Sequence, residues 1–197
     1  MKFLQEKVVD FVTDLFKRYT NSNLIYHNIT HTRQVVSHAT EIIAHLNLSA
    51  IDKSIVIIAA WFHDTGHLFN IMQGHEVKSV EIMDEFLSKQ SCDRSVIDEI
   101  ASCILATRLP AQPFNLKEEI LCDADTYHLG TTEFQITDAL IKLEVEQRGG
   151  AGDDNWNLQT LEFLRTHSFY TSYCKEKLKE GKARNIAHLI NKITASD

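Results

Sequence analysis

The sequence predicts an all-α fold, a single compact orthogonal helical bundle over residues 1–197. Three observations point there. Apolar residues recur three and four positions apart in nearly every segment, which is the period of a helix with one buried face. No segment alternates apolar and polar residues as a half-buried strand would. Only 7 Gly and 2 Pro occur in 197 residues, too few for a sandwich or barrel with a turn every ~8–12 residues. A content of 44% hydrophobic and 24% charged residues is that of an ordinary globular chain and excludes disorder as its main description.

Leu4, Val8, Phe11, Val12 and Leu15 predict a first amphipathic helix over about residues 2–20. Thr30 is the expected N-cap of a second, with Val35, Ala39, Ile42, Ile43 and Leu46 along one face. Ser49 opens a third, whose stretch Ile55 to Phe62 is apolar all round. Such a run fits a buried strand or a buried helix, and its length with the preceding Ile51 favours the helix. Val77, Val80, Met83, Phe86 and Leu87 mark a fourth helix, and Val96, Ile97, Ile100 and Ile104 a fifth. Pro110 and Pro113 then make a loop. Leu116 to Leu129 and Phe134 to Arg148 read as helices, followed by a break at Gly149, Gly150 and Gly152. Asp154 or Asn155 caps the remainder, which is helical with a split near His167 to Phe169. The GGAGDD stretch lacks the GK[ST] of a phosphate loop and follows no strand, so it reads as a helix–helix turn.

The net charge of −7 disfavours nucleic acid and anionic lipid as partners. Residues 165–197 alone carry +4, which reads as a solvated basic face. The four cysteines form no CxxC pair or zinc-finger spacing; they read as buried thiols of a reducing cytoplasm, the expected location. Glu6, Asp10 and Asp14 interrupt the N-terminal apolar stretch, and the longest apolar run has 8 residues. Neither a signal peptide nor a membrane span is expected.

The histidines carry the chemistry. His27 and His31 lie four apart in YHNITHT at a helix start. His63, Asp64 and His67 sit in HDTGH, at the end of the most apolar helix. Asp123 and Asp125 sit in CDADTYHLG. A His-Asp pair directly after Ala-Ala-Trp-Phe is costly to bury unpaired, and coordinating a cation offsets that cost. Imidazole and carboxylate together suit a divalent first-row metal, and two of each leave positions open for water. An isolated HD dipeptide, by contrast, reads as an internal pair or a helix cap.

The ordered set His31, His63-Asp64, Asp125, spaced by 32 and 61 residues, resembles the HD superfamily of metal-dependent phosphohydrolases. The resemblance runs from about Leu24 to Gly130, through YHNITHTRQVV, AAWFHDTGH, GHEVKS and ILCDADTYHLG, with residues 131–197 as C-terminal helices. It implies an all-helical fold and His31, His63, Asp64 and Asp125 as metal ligands. Family members place the last Asp directly after a small residue, which selects Asp125 over Asp123. Two positions apart on a helix, these point about 200° away from one another, leaving Asp123 as a cap or hydrogen-bond acceptor. YHNITH is also similar to the signature of class I cyclic-nucleotide phosphodiesterases, and HDTGH to their HD-x-x-H. By that likeness His27 is the candidate general acid, Asp64 a catalytic carboxylate as well as a ligand, and His67 a base or water-orienting group. His27 in a purely structural hydrogen bond is the alternative. The chain lacks the rest of that signature and is shorter than those enzyme domains, so their substrate does not transfer.

The resemblance implies hydrolysis of a small phosphoester, a nucleotide by expectation, by water activated at one divalent ion: Mn, Fe, Co, Ni, Mg or Zn. A second, weaker ion on a bridging Asp64 is left open, with His67 and His75 as candidates. His75 and Glu76 are either a cavity wall or an exposed helix start. Lys78 and Arg108 are candidate phosphate contacts, with solvent exposure as the alternative. Two other functions stay open: a di-iron oxygenase of the same fold, and a metal- or nucleotide-binding regulatory module without turnover. A homodimer through the C-terminal helices is allowed.

Overall fold

The computed structural model describes residues 2–150 and 155–195. The described residues form an all-α architecture: α1 (Lys2–Arg18), α2 (Ile29–Ala44), α3 (Ala50–Phe62), α4 (His75–Lys89), α5 (Arg94–Ala106), α6 (Leu116–Asp125), α7 (Phe134–Gln147), α8 (Trp156–Thr166) and α9 (Ser172–Thr194). Two 3₁₀ turns, Thr65–Phe69 and Tyr127–Gly130, follow α3 and α6.

The all-apolar run resolves as helix. α3 is the central element, packed by α1, α2, α4, α5 and α6, so every side of it meets another helix. Val56, Ile58, Ala59, Ala60 and Phe62 are fully buried. A helix surrounded in this way has no polar face to display. Ser49 caps it as expected, accepting from the Asp52 N–H.

Two expectations need correction. The N-cap of α2 is Asn28, whose Oδ1 accepts from the N–H groups of Thr30 (2.8 Å) and His31 (3.4 Å). Thr30 therefore lies inside the first turn, and so does His31. The second concerns Leu116 to Leu129. The helix stops at Asp125, where Thr126 turns the chain into the 3₁₀ segment. α9 packs against the segment that follows the break. Asn185 on α9 donates its amide to the carbonyls of Leu129 and Thr131, at 2.9 Å each. Gly181 lies so close that a Cβ there would stand 1.7 Å from the Gly130 carbonyl oxygen. Only a bare backbone admits that approach.

The break after α7 falls where expected, with the N–H groups of Gly149 and Gly150 donating to the Glu146 and Val145 carbonyls. Gly152 and Asp154 lie outside the described residues, and Asn155 precedes α8. Lys177 of the basic α9 ion-pairs with Glu41 of α2, whose carboxylate also accepts from the hydroxyls of Tyr127 and Tyr173. Among the described residues no helix is long and apolar enough to cross a membrane.

Candidate metal centre

Three element ends meet at one buried point. The first turn of α2 brings His31, the C-terminus of α3 brings His63 and Asp64, and the last residue of α6 is Asp125. One ligand atom from each lies within 4.8 Å of all the others. His31 Nε2 is 3.1 Å from Asp64 Oδ2 and 3.2 Å from Asp125 Oδ1; His63 Nε2 is 3.2 and 3.5 Å from the same two oxygens. None of these contacts has hydrogen-bond geometry: His31 Nε2, His63 Nε2 and Asp64 Oδ2 are buried polar atoms without a partner.

An orphaned buried polar group costs about 1–3 kcal/mol. Three orphans aimed at one point, two imidazole nitrogens and a carboxylate oxygen, fit a divalent cation. The tautomer agrees for His63, whose Nδ1 donates to the Ala60 carbonyl at 2.8 Å and leaves the Nε2 lone pair facing the cluster. Burial opposes charge on both imidazoles, but Asp64 and Asp125 outweigh it and raise both pKa values. Burial likewise opposes ionisation of Asp64, and His63, His31 and His75 outweigh it, holding its carboxyl well below the usual range.

Asp123 is fully buried and faces away. It accepts from the N–H groups of Tyr170 and Thr171 (2.8 Å each) and from the Thr171 hydroxyl (2.7 Å). It thus ties the start of α9 to α6.

Asp64 Oδ1 points the other way, 3.5 Å from His75 Nε2. His75 Nδ1 donates to the Met72 carbonyl. Beside it stands Glu76, with Oε2 buried and unpartnered. Here His27, Asp64 and His67 form a second convergent group, with the His67 ring stacked on His75 at 3.7 Å and near His27 at 4.2 Å. Gly66 makes this packing feasible: a Cβ there would stand 2.0 Å from the His75 carbonyl oxygen. Its N–H donates to Ser79 Oγ.

α7 supplies residues that sequence reasoning missed. Glu144, 2% exposed, accepts on Oε2 from the N–H groups of Tyr26 (2.7 Å) and His27 (2.9 Å). On Oε1 it accepts from His27 Nδ1 (2.7 Å) and Arg148 Nη1 (3.0 Å). Burial opposes its charge, yet His27 and the two backbone donors bring its pKa down to about 2. Arg148 Nη1 also lies 3.0 Å from His67 Nδ1. A guanidinium cannot accept, so His67 Nδ1 must. Burial, with His27, His75 and Arg148 around the ring, drives the His67 pKa down to about 2. A neutral imidazole that accepts at Nδ1 carries its proton on Nε2. His67 is therefore a fixed donor, which is unsuited to act as a base or a ligand through Nε2. The signal for Glu144 was faint: Phe134, Thr137, Ile141 and Glu144 continue one inward stripe, with Arg148 four residues on.

Lys78 pairs with Glu81 at 2.9 Å, and Arg108 is exposed on the α5–α6 loop; the structure does not bring either to the cluster. A cavity of about 360 Å³ opens beside it, with Tyr26, His27, Asp125 and His128 on the inner wall. His128, also unnoticed in the sequence, has its pKa lowered to about 4 by burial.

The family model for the HD domain matches residues 28–130, just over half of the chain. Among solved structures, a predicted HD superfamily hydrolase from an uncultured Thermotogales bacterium is similar at 20% identity and a TM-score of 0.61. The match covers 97% of this chain and 91% of that one; at that identity the likeness is one of fold. No curated protein matches.

Proposed function

The chain belongs to the HD-domain family, and on that footing we propose that it is a metal-dependent phosphohydrolase acting on a small phosphoester, a nucleotide in our reading. The observation that carries this is the convergence of His31, His63, Asp64 and Asp125 within 4.8 Å, with three buried unpartnered atoms among them. The Thermotogales protein of similar fold is itself a predicted hydrolase, in keeping with the same reading.

A divalent cation held by these four residues would supply Lewis-acid polarisation of a phosphoryl oxygen and lower the pKa of water. The remaining roles fall to the chain. Glu144 holds the His27 Nδ1–H and sets the ring on the cavity wall, where His27 as the imidazolium gives its Nε2 proton to the departing oxygen and is left neutral. His67, its proton fixed on Nε2 by Arg148, donates toward the space beside Asp64 and orients water or a phosphoryl oxygen. The same proton assignment removes His67 from the candidate ligands of a second ion and leaves His75, 3.5 Å from Asp64 Oδ1.

Elemental analysis of protein purified without chelators tests the centre. The expected result is about one transition-metal ion per chain, lost in Asp64→Ala together with phosphoester turnover while the far-ultraviolet helical signal persists. Full turnover by Asp64→Ala, or no bound metal even after incubation with Mn, would overturn the proposal. The regulatory-module reading would then lead.

A further inference from the structure

The cavity beside the cluster lies among α6, α7 and α8. Its volume of about 360 Å³ is at the small end of the ~300–1,000 Å³ usual for small-molecule sites. The inner wall carries His27 and Asp125. The outer wall is apolar and partly aromatic, with Phe134 and Ile141 from α7 and Trp156 and Phe163 from α8. Asp138 accepts from Trp156 Nε1 (2.9 Å) and from the Thr160 hydroxyl (3.1 Å), which fixes the plane of the indole. Among the described residues, the carboxylates on the wall are Asp125 and Asp138, and no Lys or Arg lines it. The nearby Arg148 is held through Nη1 by Glu144 and His67.

These facts constrain an occupant. An apolar wall with an oriented indole gains by covering uncharged ring surface. With Asp125 given to the cation, Asp138 and a wall without Lys or Arg leave nothing to hold a phosphate beyond the one that the cluster neutralises. We propose that the cavity binds an uncharged aromatic ring carried by a substrate with a single phosphoryl group. The ring packs against Trp156, and the phosphoryl group lies at the His/Asp cluster. The position of the phosphoryl group rests on the phosphohydrolase reading; the ring site does not.

Calorimetric titration of the Mn-loaded full chain with naphthylphosphonate and with methylphosphonate tests the ring site without turnover. The naphthyl compound should bind about tenfold or more tightly, tenfold being ~1.4 kcal/mol. Trp156→Ala should bring its affinity down to that of methylphosphonate, and Trp156→Phe, which keeps a ring, should restore most of the preference. Should Trp156→Ala lose its helical signal, Ile141→Asp replaces it, and the added carboxylate should remove the same preference. Equal affinities in the parent chain, or a preference that survives both variants, would overturn the ring site. Turnover of adenosine monophosphate should exceed that of adenosine triphosphate, and the reverse order would overturn the single-phosphoryl assignment. Ring binding without turnover of any phosphoester would uphold the cavity and sink the hydrolase reading. Turnover without ring preference would do the opposite.

Discussion

Glu144→Gln isolates the carboxylate behind His27. Each oxygen of Glu144 accepts two donors: the backbone N–H groups of Tyr26 and His27 on one, and His27 Nδ1 and Arg148 Nη1 on the other. Glutamine has one acceptor oxygen, so either amide orientation sets an NH₂ against two N–H donors. The better orientation keeps the backbone pair and turns His27 Nδ1 into an acceptor. It still removes the negative partner of Arg148, which is 5% exposed. A hydrogen bond to a charged group contributes about 1.5–3 kcal/mol, and a broken buried ion pair costs about 3–5 kcal/mol. Linkage gives a similar figure. A carboxyl pKa of about 2 against ~4.3 unfolded corresponds to about 3 kcal/mol at neutral pH, at 1.36 kcal/mol per unit. The folded pKa is depressed, so this stability is present above the unfolded pKa and is lost as pH falls from about 4.3 toward 2. Urea denaturation of both proteins, followed by circular dichroism, should give a gap of about 3 kcal/mol at neutral pH, or ~6–12 °C in Tm for a domain of this size. The gap should shrink on acidification, because a protonated Glu144 resembles glutamine. A gap under about 0.5 kcal/mol, or one that widens as pH falls, would refute the reasoning.

Gly66→Ala puts a methyl group 2.0 Å from the His75 carbonyl oxygen, a backbone atom. Thermal melts should show a loss at or above the ~1–3 kcal/mol typical of overpacking. Asn28→Ala removes the α2 cap and should cost about 1 kcal/mol. Because His31 lies in that first turn, metal affinity in a chelator competition should fall as well; an unchanged affinity would mean that the cap does not position His31. Nitrogen-15 NMR of the imidazoles should find His67 protonated on Nε2 and bare on Nδ1 at neutral pH. A proton on Nδ1 would contradict the Arg148 contact.

The all-α class was legible because helical spacing is a local property of the chain. So was the centre of the site, since a His-Asp pair ending an apolar helix states its own burial problem. Choosing Asp125 over Asp123 needed the family resemblance, with helix geometry to keep both off one metal. Asp123 is the acceptor expected of it, but no local pattern announces its partners, the Tyr170 and Thr171 backbone. The α2 cap was misplaced by two residues because Asn28 and Thr30 are both good caps, and only the backbone turn decides between them. The break after Asp125 was hidden because the residues packed against the segment that follows it, Gly181 and Asn185, lie more than 50 residues away. Glu144 was hidden for the same reason: it meets His27 across 117 residues, and an acidic residue in a helix otherwise reads as solvent-facing.

The clamp of α9 on the turn after Asp125 has a consequence for biosynthesis. All four candidate ligands have been translated by residue 125, yet the contacts that shape the end of α6 come from Thr171, Gly181 and Asn185. While a nascent chain still lacks those residues, it holds every ligand without the brace that sets the last one in place. The end of α6, and with it Asp125, is therefore set by residues translated well after it.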